Sequence, residues 1–242
     1  MKNPLLTLRI HSLMRSLHRE GNIEQQINSL SEIGEPAAPY LVRALGDSGR
    51  LGENAVRIFL AMGEPALPHL GEALKSEKSE IRYNAIRALV KIGIPAIPHL
   101  IHASCRGPSI GARADAADAL VGMGEAALPQ LLASLEDSWL AREILPGRVL
   151  KDIEPSSPNS LRLLGNSIRF LKGEQLKKRA GQPDLDSLME VYSNWVSQLG
   201  KKAEVEHRTL QRPPPRFRNP IGRKARNNSA GKMKAAIGGA KP

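Results

Sequence analysis

The sequence predicts an all-α fold, a right-handed α-solenoid of short helical hairpins, and three observations carry that prediction. A glycine-proline string recurs four times at a near-constant spacing. Small and apolar residues recur at fixed distances upstream of it. Aromatic residues are only 3% of the chain while apolar residues are 41%, so the core is built from Leu, Ile, Val and Ala, which suits helices packed closely along their lengths.

The strings are IGEPAAPYL at Ile33 to Leu41, MGEPALPHL at Met62 to Leu70, IGIPAIPHL at Ile92 to Leu100 and MGEAALPQL at Met123 to Leu131. Their glycines, Gly34, Gly63, Gly93 and Gly124, lie 29, 30 and 31 residues apart, which is one helical hairpin per repeat. Each string reads as punctuation: the glycine takes the left-handed conformation that ends helix B of one hairpin, and proline is tolerated in the first turn of the next helix A. Pro36, Pro65 and Pro95 open helix A, and Pro39, Pro68, Pro98 and Pro129 fall in or near its first turn, where backbone N–H groups have no intrahelical partner. Upstream, Ala55, Ala85 and Ala116 stand eight residues before a glycine, and Phe59, Leu89 and Leu120 stand four before, so they share one buried face of helix B. Alanine there lets neighbouring helices approach closely.

Four segments follow. Residues 1–33 form a degenerate first hairpin: Leu6, Ile10, Leu13, Met14 and Leu17 line one helical face, and Gln26 and Leu30 occupy the positions eight and four before Gly34. The same opening stretch, with Lys2, Arg9, Arg15 and Arg19 and no acid before Glu20, also has the composition of a transit peptide; the amphipathic helix is the preferred reading. Residues 34–137 are the repeats. Residues 138–200 lose the punctuation, gather Trp139, Phe170, Tyr192 and Trp195, and read as a helical cap. Its last helix follows Asp184 and carries Leu185, Leu188, Met189, Tyr192, Trp195, Val196 and Leu199 on one stripe. Residues 201–242 are rich in Arg, Lys, Pro, Gly and Asn and are expected to be disordered, with too few apolar groups to offset the entropy of ordering.

The quoted strings, with IRYNAIRALVKIG from Ile81 to Gly93, resemble the short HEAT-like repeats of phycobilin lyase subunits, deoxyhypusine hydroxylase and many bacterial scaffold proteins. The resemblance covers about half the chain and implies the architecture rather than one activity. Deoxyhypusine hydroxylase would require metal-binding His-Glu pairs just before the alanine position of successive B helices. Those places hold Glu53-Asn54, Tyr83-Asn84 and Ala114-Asp115, and no His-Glu dipeptide occurs in the chain, so di-iron hydroxylation is not transferred. A phycobilin-lyase-like enzyme subunit stays a third possibility that no short motif marks, mildly disfavoured by repeats poor in aromatics.

Other chemistry is weakly signalled. His99, His102 and Cys105 have zinc-ligand types, but residues six apart on a helix diverge by most of a half-turn, and His69 and His99 fill the same repeat position as Tyr40 and Gln130. Surface histidines and a buried thiol are expected, with no metal and no cofactor. Gly107 to Gly111, GPSIG, fits a nucleophile pattern in spelling only, because it joins two helices rather than a strand and a helix. Around Ala230-Gly231-Lys232 the requirements of a phosphate loop fail at Arg226 and Met233.

Two surfaces suggest binding rather than catalysis. In HEAT-like stacks the B helices usually line the concave side, which would place Asn54, Arg57, Asn84, Arg87, Asp115 and Asp118 in a row there. The row runs from basic to acidic and suits a polar peptide or protein partner better than a phosphate track. The second surface is the tail. The net charge is +11, yet residues 201–242 hold 12 Lys+Arg and 2 Asp+Glu, which leaves the first 200 residues nearly neutral. Arg208, Arg212, Arg216, Arg218, Arg223, Lys224 and Arg226, followed by Lys232 and Lys234, would attract nucleic acid or another polyanion, with Phe217 available to stack. One cysteine, no transmembrane segment and no secretory signal pattern suggest a soluble, cytoplasmic protein. The expected function is a non-catalytic adaptor or scaffold with an electrostatic anchor, and the alternative is a nucleic-acid-binding protein.

Overall fold

The computed structural model describes residues 4–17, 22–137, 141, 144–177 and 185–199, and among these every regular element is helical. The α-helices are α1 (Pro4–Ser16), α2 (Ile23–Ile33), α3 (Ala38–Ala44), α4 (Arg50–Met62), α5 (Leu67–Ala73), α6 (Ser79–Ile92), α7 (Ile97–Arg106), α8 (Ile110–Met123), α9 (Leu128–Asp137), α10 (Pro158–Lys177) and α11 (Leu185–Leu199). A π-helical turn covers Pro146–Leu150. The segment 201–242, expected to be disordered, lies outside the described residues.

Each glycine-proline string builds a sharp junction in two steps. Gly34, Gly63, Gly93 and Gly124 have φ of 69°, 66°, 88° and 59°, with ψ between −135° and −140°. This differs from the expected left-handed helical cap. Positive φ with strongly negative ψ mirrors the extended region, a basin open essentially to glycine, and it turns the chain directly into the next helix. Pro36, Pro65 and Pro95 then sit in single 3₁₀ turns, and the α-helix proper begins at Ala38, Leu67 and Ile97, with the second proline at its second position. A Cβ added at Gly63 would meet nothing within 4 Å, so the requirement there is purely one of backbone conformation. Gly63→Ala is expected to lower stability by about 1–2 kcal/mol. Gly122→Ala, in helical conformation with equally open surroundings, is expected to raise it by about 0.5 kcal/mol. Paired urea melts check both signs.

The helices stack in two rows. Helix A of each hairpin packs on the next helix A through α3, α5, α7, α9 and α10, while the B row runs through α2, α4, α6, α8 and the π-helical turn. Ala55, Ala85 and Ala116 are fully buried, as are Phe59, Leu89 and Leu120, so the repeated positions form the continuous interior. The loop from α3 to α4 comes closest at Gly52, where an added Cβ would stand 2.1 Å from the Asp47 carbonyl oxygen. Eleven residues before the later glycines the same position holds Arg82 and Arg113, whose Nη1 atoms instead donate to loop carbonyls: Ser76 at 3.1 Å and Glu77 at 2.9 Å, and Gly107 at 3.1 Å.

The two rows continue into the segment expected to be a cap. Leu145 and Val149 are buried at the positions eight and four before Ile153, and α11 buries Leu188, Val191, Tyr192 and Trp195 against α10 and the π-helical turn. Glu154-Pro155-Ser156-Ser157-Pro158 repeats the E-P-x-x-P spelling of the earlier junctions, 29 residues after Glu125, with Ile153 in the glycine place. No non-glycine residue among those described has positive φ, so this junction turns by another means. The Glu125 carboxylate supplies it. Its Oε1 accepts from the Ser156 N–H at 2.6 Å and the Ser157 N–H at 3.0 Å, and its oxygens also bind the Ser156 and Ser160 hydroxyls. A charged side chain thereby ties down the two residues that precede α10 and reaches the Ser160 hydroxyl in its first turn, where the helix dipole also favours an anion.

Candidate functional site

The B-helix row divides by burial. Asn54 and Asn84, nine residues before Gly63 and Gly93, are 5% and 7% exposed, which corrects their assignment to a docking surface. Their amides reach back one hairpin: Asn84 Nδ2 donates to the Leu45 carbonyl at 2.8 Å, and Asn54 Nδ2 to the Leu17 carbonyl at 3.4 Å. Leu45 follows the last residue of α3 and Leu17 that of α1, so each amide satisfies a carbonyl that its own helix leaves without a partner. Asp115 stands at the equivalent place in α8. A carboxylate cannot donate to a carbonyl, and Asp115 instead accepts from Arg82 Nε at 3.3 Å. Arg57 pairs with Glu24, and both ion pairs join residues 33 apart on adjacent B helices. Much of the polar row therefore holds one hairpin to the next.

What faces outward lies along a neighbouring stripe, ten, six and three residues before each glycine. Tyr83 is 63% exposed, and the Arg87 guanidinium stands 5.7 Å from its ring centroid. Arg87 Nη1 also donates to Asn84 Oδ1 at 3.1 Å, which fixes the guanidinium beside the ring. Val90 is exposed further along α6, with half-buried Leu60 and Val121 at its equivalents. Arg57 and Asp118 are exposed at the Arg87 position of the flanking hairpins, and Asp118 has no ion-pair partner among the described residues. The stripe offers an aromatic face and aliphatic edges, with Glu53 and the Glu24-paired Arg57 on α4, Arg87 on α6 and Asp118 on α8. Tyr83 was not singled out from sequence. The signal was there: an aromatic occupies a position that is Glu53 in one repeat and Ala114 in another.

The A row holds the histidines. His99 is half-buried, and its Nδ1 sits 2.7 Å from where a Cβ on Gly71 would be. Burial first, then the nearby His102, pushes its pKa below the ordinary value. Cys105 lines a cavity of about 380 Å³ between α7 and α9 with Ile101, His102, Gln130 and Ser134. Burial pushes the thiol pKa up against the opposing effects of Ser104 and Arg106, so the protonated, weakly nucleophilic form dominates at neutral pH. Among the described residues no three His, Cys, Asp or Glu side chains converge as metal ligands. Ser109 of the GPSIG stretch caps α8, its Oγ accepting from the Ala112 N–H at 3.1 Å. Arg208, Arg212, Arg216, Arg218, Arg223, Lys224 and Arg226 lie outside the described residues.

The segment through α6, its junction and α7 is also where known proteins are met: residues 81–104 match the family model described as the PBS lyase HEAT-like repeat. The match identifies one HEAT-like repeat within the chain. No curated protein matches it. No helix among the described residues of this repeat protein is long and apolar enough to cross a membrane.

Proposed function

We propose that the chain is a non-catalytic adaptor that binds a protein partner along the outward stripe of its B helices, with the basic segment 201–242 adding electrostatic anchoring. The observation that carries this reading is Tyr83, a large aromatic 63% exposed in the middle of the stack and braced by Arg87. Exposed tyrosines with adjacent arginines are what binding surfaces use as anchors, since they bury much area at small entropic cost. The change of sign from Arg87 to Asp118 favours a partner segment of mixed charge, laid so that an acid meets α6 and a base meets α8.

Tyr83→Ala combined with Asp118→Lys is expected to weaken capture of a protein partner from nuclease-treated lysate by about thirtyfold, as for loss of a binding hot spot. The stability of the variant is expected to stay within about 0.5 kcal/mol of the parent. Equal recovery of every protein by parent and variant would remove the adaptor reading. The second reading, a nucleic-acid-binding protein, is favoured by the concentration of charge in residues 201–242.

A further inference from the structure

We infer that the outward face of α10 is a contact surface for single-stranded nucleic acid. This deepens the second reading above, nucleic-acid binding, and is independent of the Tyr83 stripe. Phe170 is 45% exposed, although Leu161, Leu164, Ile168 and Leu171 of the same helix are buried in the core. Packing of the stack therefore does not account for Phe170. Around it Arg162, Asn166 and Arg169 follow at helical spacing on the exposed side, with Asn159 and Lys172 at its ends.

No acid occurs between Glu154 and Glu174, and Arg162, Arg169 and Lys172 have no carboxylate partner among the described residues. On the flank towards α9, Ser167 donates to Glu136 at 3.5 Å, but Ser167 is buried and off the exposed row. The guanidiniums are positioned: Arg162 Nη2 donates to Asn159 Oδ1 at 2.6 Å and Arg169 Nη2 to Asn166 Oδ1 at 2.5 Å, each one turn earlier. Two cations held about 10 Å apart along the helix, with a half-exposed ring on the residue after the second of them, provide phosphate contacts and a stacking platform. A membrane surface calls for a broad apolar face, which one phenylalanine does not make. Between Glu154 and Glu174 the charge is all of one sign, which suits a uniformly anionic backbone better than a protein segment of mixed charge.

The test uses the full chain with labelled 20-mers of oligouridine and oligothymidine, titrated at several salt concentrations. Phe170→Ala is expected to weaken binding at least about fivefold and Phe170→Tyr to retain it, as for base stacking. Replacing Arg162, Arg169 and Lys172 by Gln is expected to reduce the slope of log affinity against log salt by about 2. The side chains are exposed, so helicity by circular dichroism is expected to stay unchanged, and Tyr83→Ala with Asp118→Lys is expected to bind oligonucleotide like the parent. A preference for either 20-mer supports the inference and reports the role of the 2′-hydroxyl. Affinities of the α10 variants within about twofold of the parent would overturn it. So would equal dependence on Phe170 when the probe is polyglutamate or a phosphatidylserine vesicle.

Discussion

Asn84→Asp is expected to destabilise the protein by about 3 kcal/mol at pH 7, one of the largest effects of a single near-isosteric change in this chain. The amide is 7% exposed, and its Nδ2 donates to the Leu45 carbonyl at 2.8 Å across the boundary between two hairpins. A carboxylate removes that donor, leaves a buried acceptor unsatisfied at a cost of about 1–3 kcal/mol, and places a second negative oxygen against it. Arg87, already bonded to Asn84 Oδ1, offsets part of the charge but cannot restore the donor.

The pH dependence tests the cause. Burial raises the pKa of a carboxyl introduced at position 84 above its unfolded value, so the penalty is present above the folded pKa and disappears as pH falls below it. Protonated, the group again donates a hydrogen to the Leu45 carbonyl. The deficit of the variant against the parent is thus expected to shrink below about pH 5. Asp115→Asn, at the equivalent but exposed place, is expected to change stability by less than about 1 kcal/mol. In a stack where each hairpin touches only its neighbours, faster hydrogen exchange in the Asn84 variant is expected first in α3 and α6 rather than throughout.

The contrast between Asn84 and Asp115 shows what was legible in sequence. Glycine spacing, paired prolines and the alanine ladder are local or periodic signals, and they predicted hairpins, their boundaries and their buried face. The direction of a polar side chain is not periodic in that way. Asn54, Asn84 and Asp115 share a position in the repeat and look alike as a polar row, yet two are buried as clamps on the preceding hairpin and one is outside. That depends on whether a carbonyl of another hairpin ends nearby, which only packing decides. Tyr83 is the converse, an aromatic whose exposure no spacing rule indicates. The last junction was hidden because Ile153 replaces the diagnostic glycine, although E-P-x-x-P survives around it.

That substitution makes Glu125 the side chain on which the C-terminal hairpin depends. With no positive-φ glycine at Ile153, the entry to α10 is held by one carboxylate accepting from the Ser156 and Ser157 N–H groups and from the Ser156 and Ser160 hydroxyls. Partial burial alone would raise its pKa, but hydrogen bonds from Ser156, Ser160 and Ser157 outweigh it and bring the group from an ordinary 4.5 to about 2. A shift of that size corresponds to roughly 3 kcal/mol, which solvent exposure of the site reduces to about 2 kcal/mol. Because the folded pKa lies below the unfolded one, the contribution is complete above about pH 4.5 and is lost as pH falls towards about 2. Glu125→Gln keeps the shape and removes the charge, so it is expected to cost about 2 kcal/mol at pH 7 and progressively less below about pH 4.5. Comparing parent and variant at each pH cancels the titration of the other carboxylates. Since the bond joins one hairpin to the next, the loss at neutral pH is expected as early hydrogen exchange in α10 and α11 while α4 and α6 stay protected. A constant difference between parent and variant from pH 7 to pH 3 would show that the charge of Glu125 does not hold this junction.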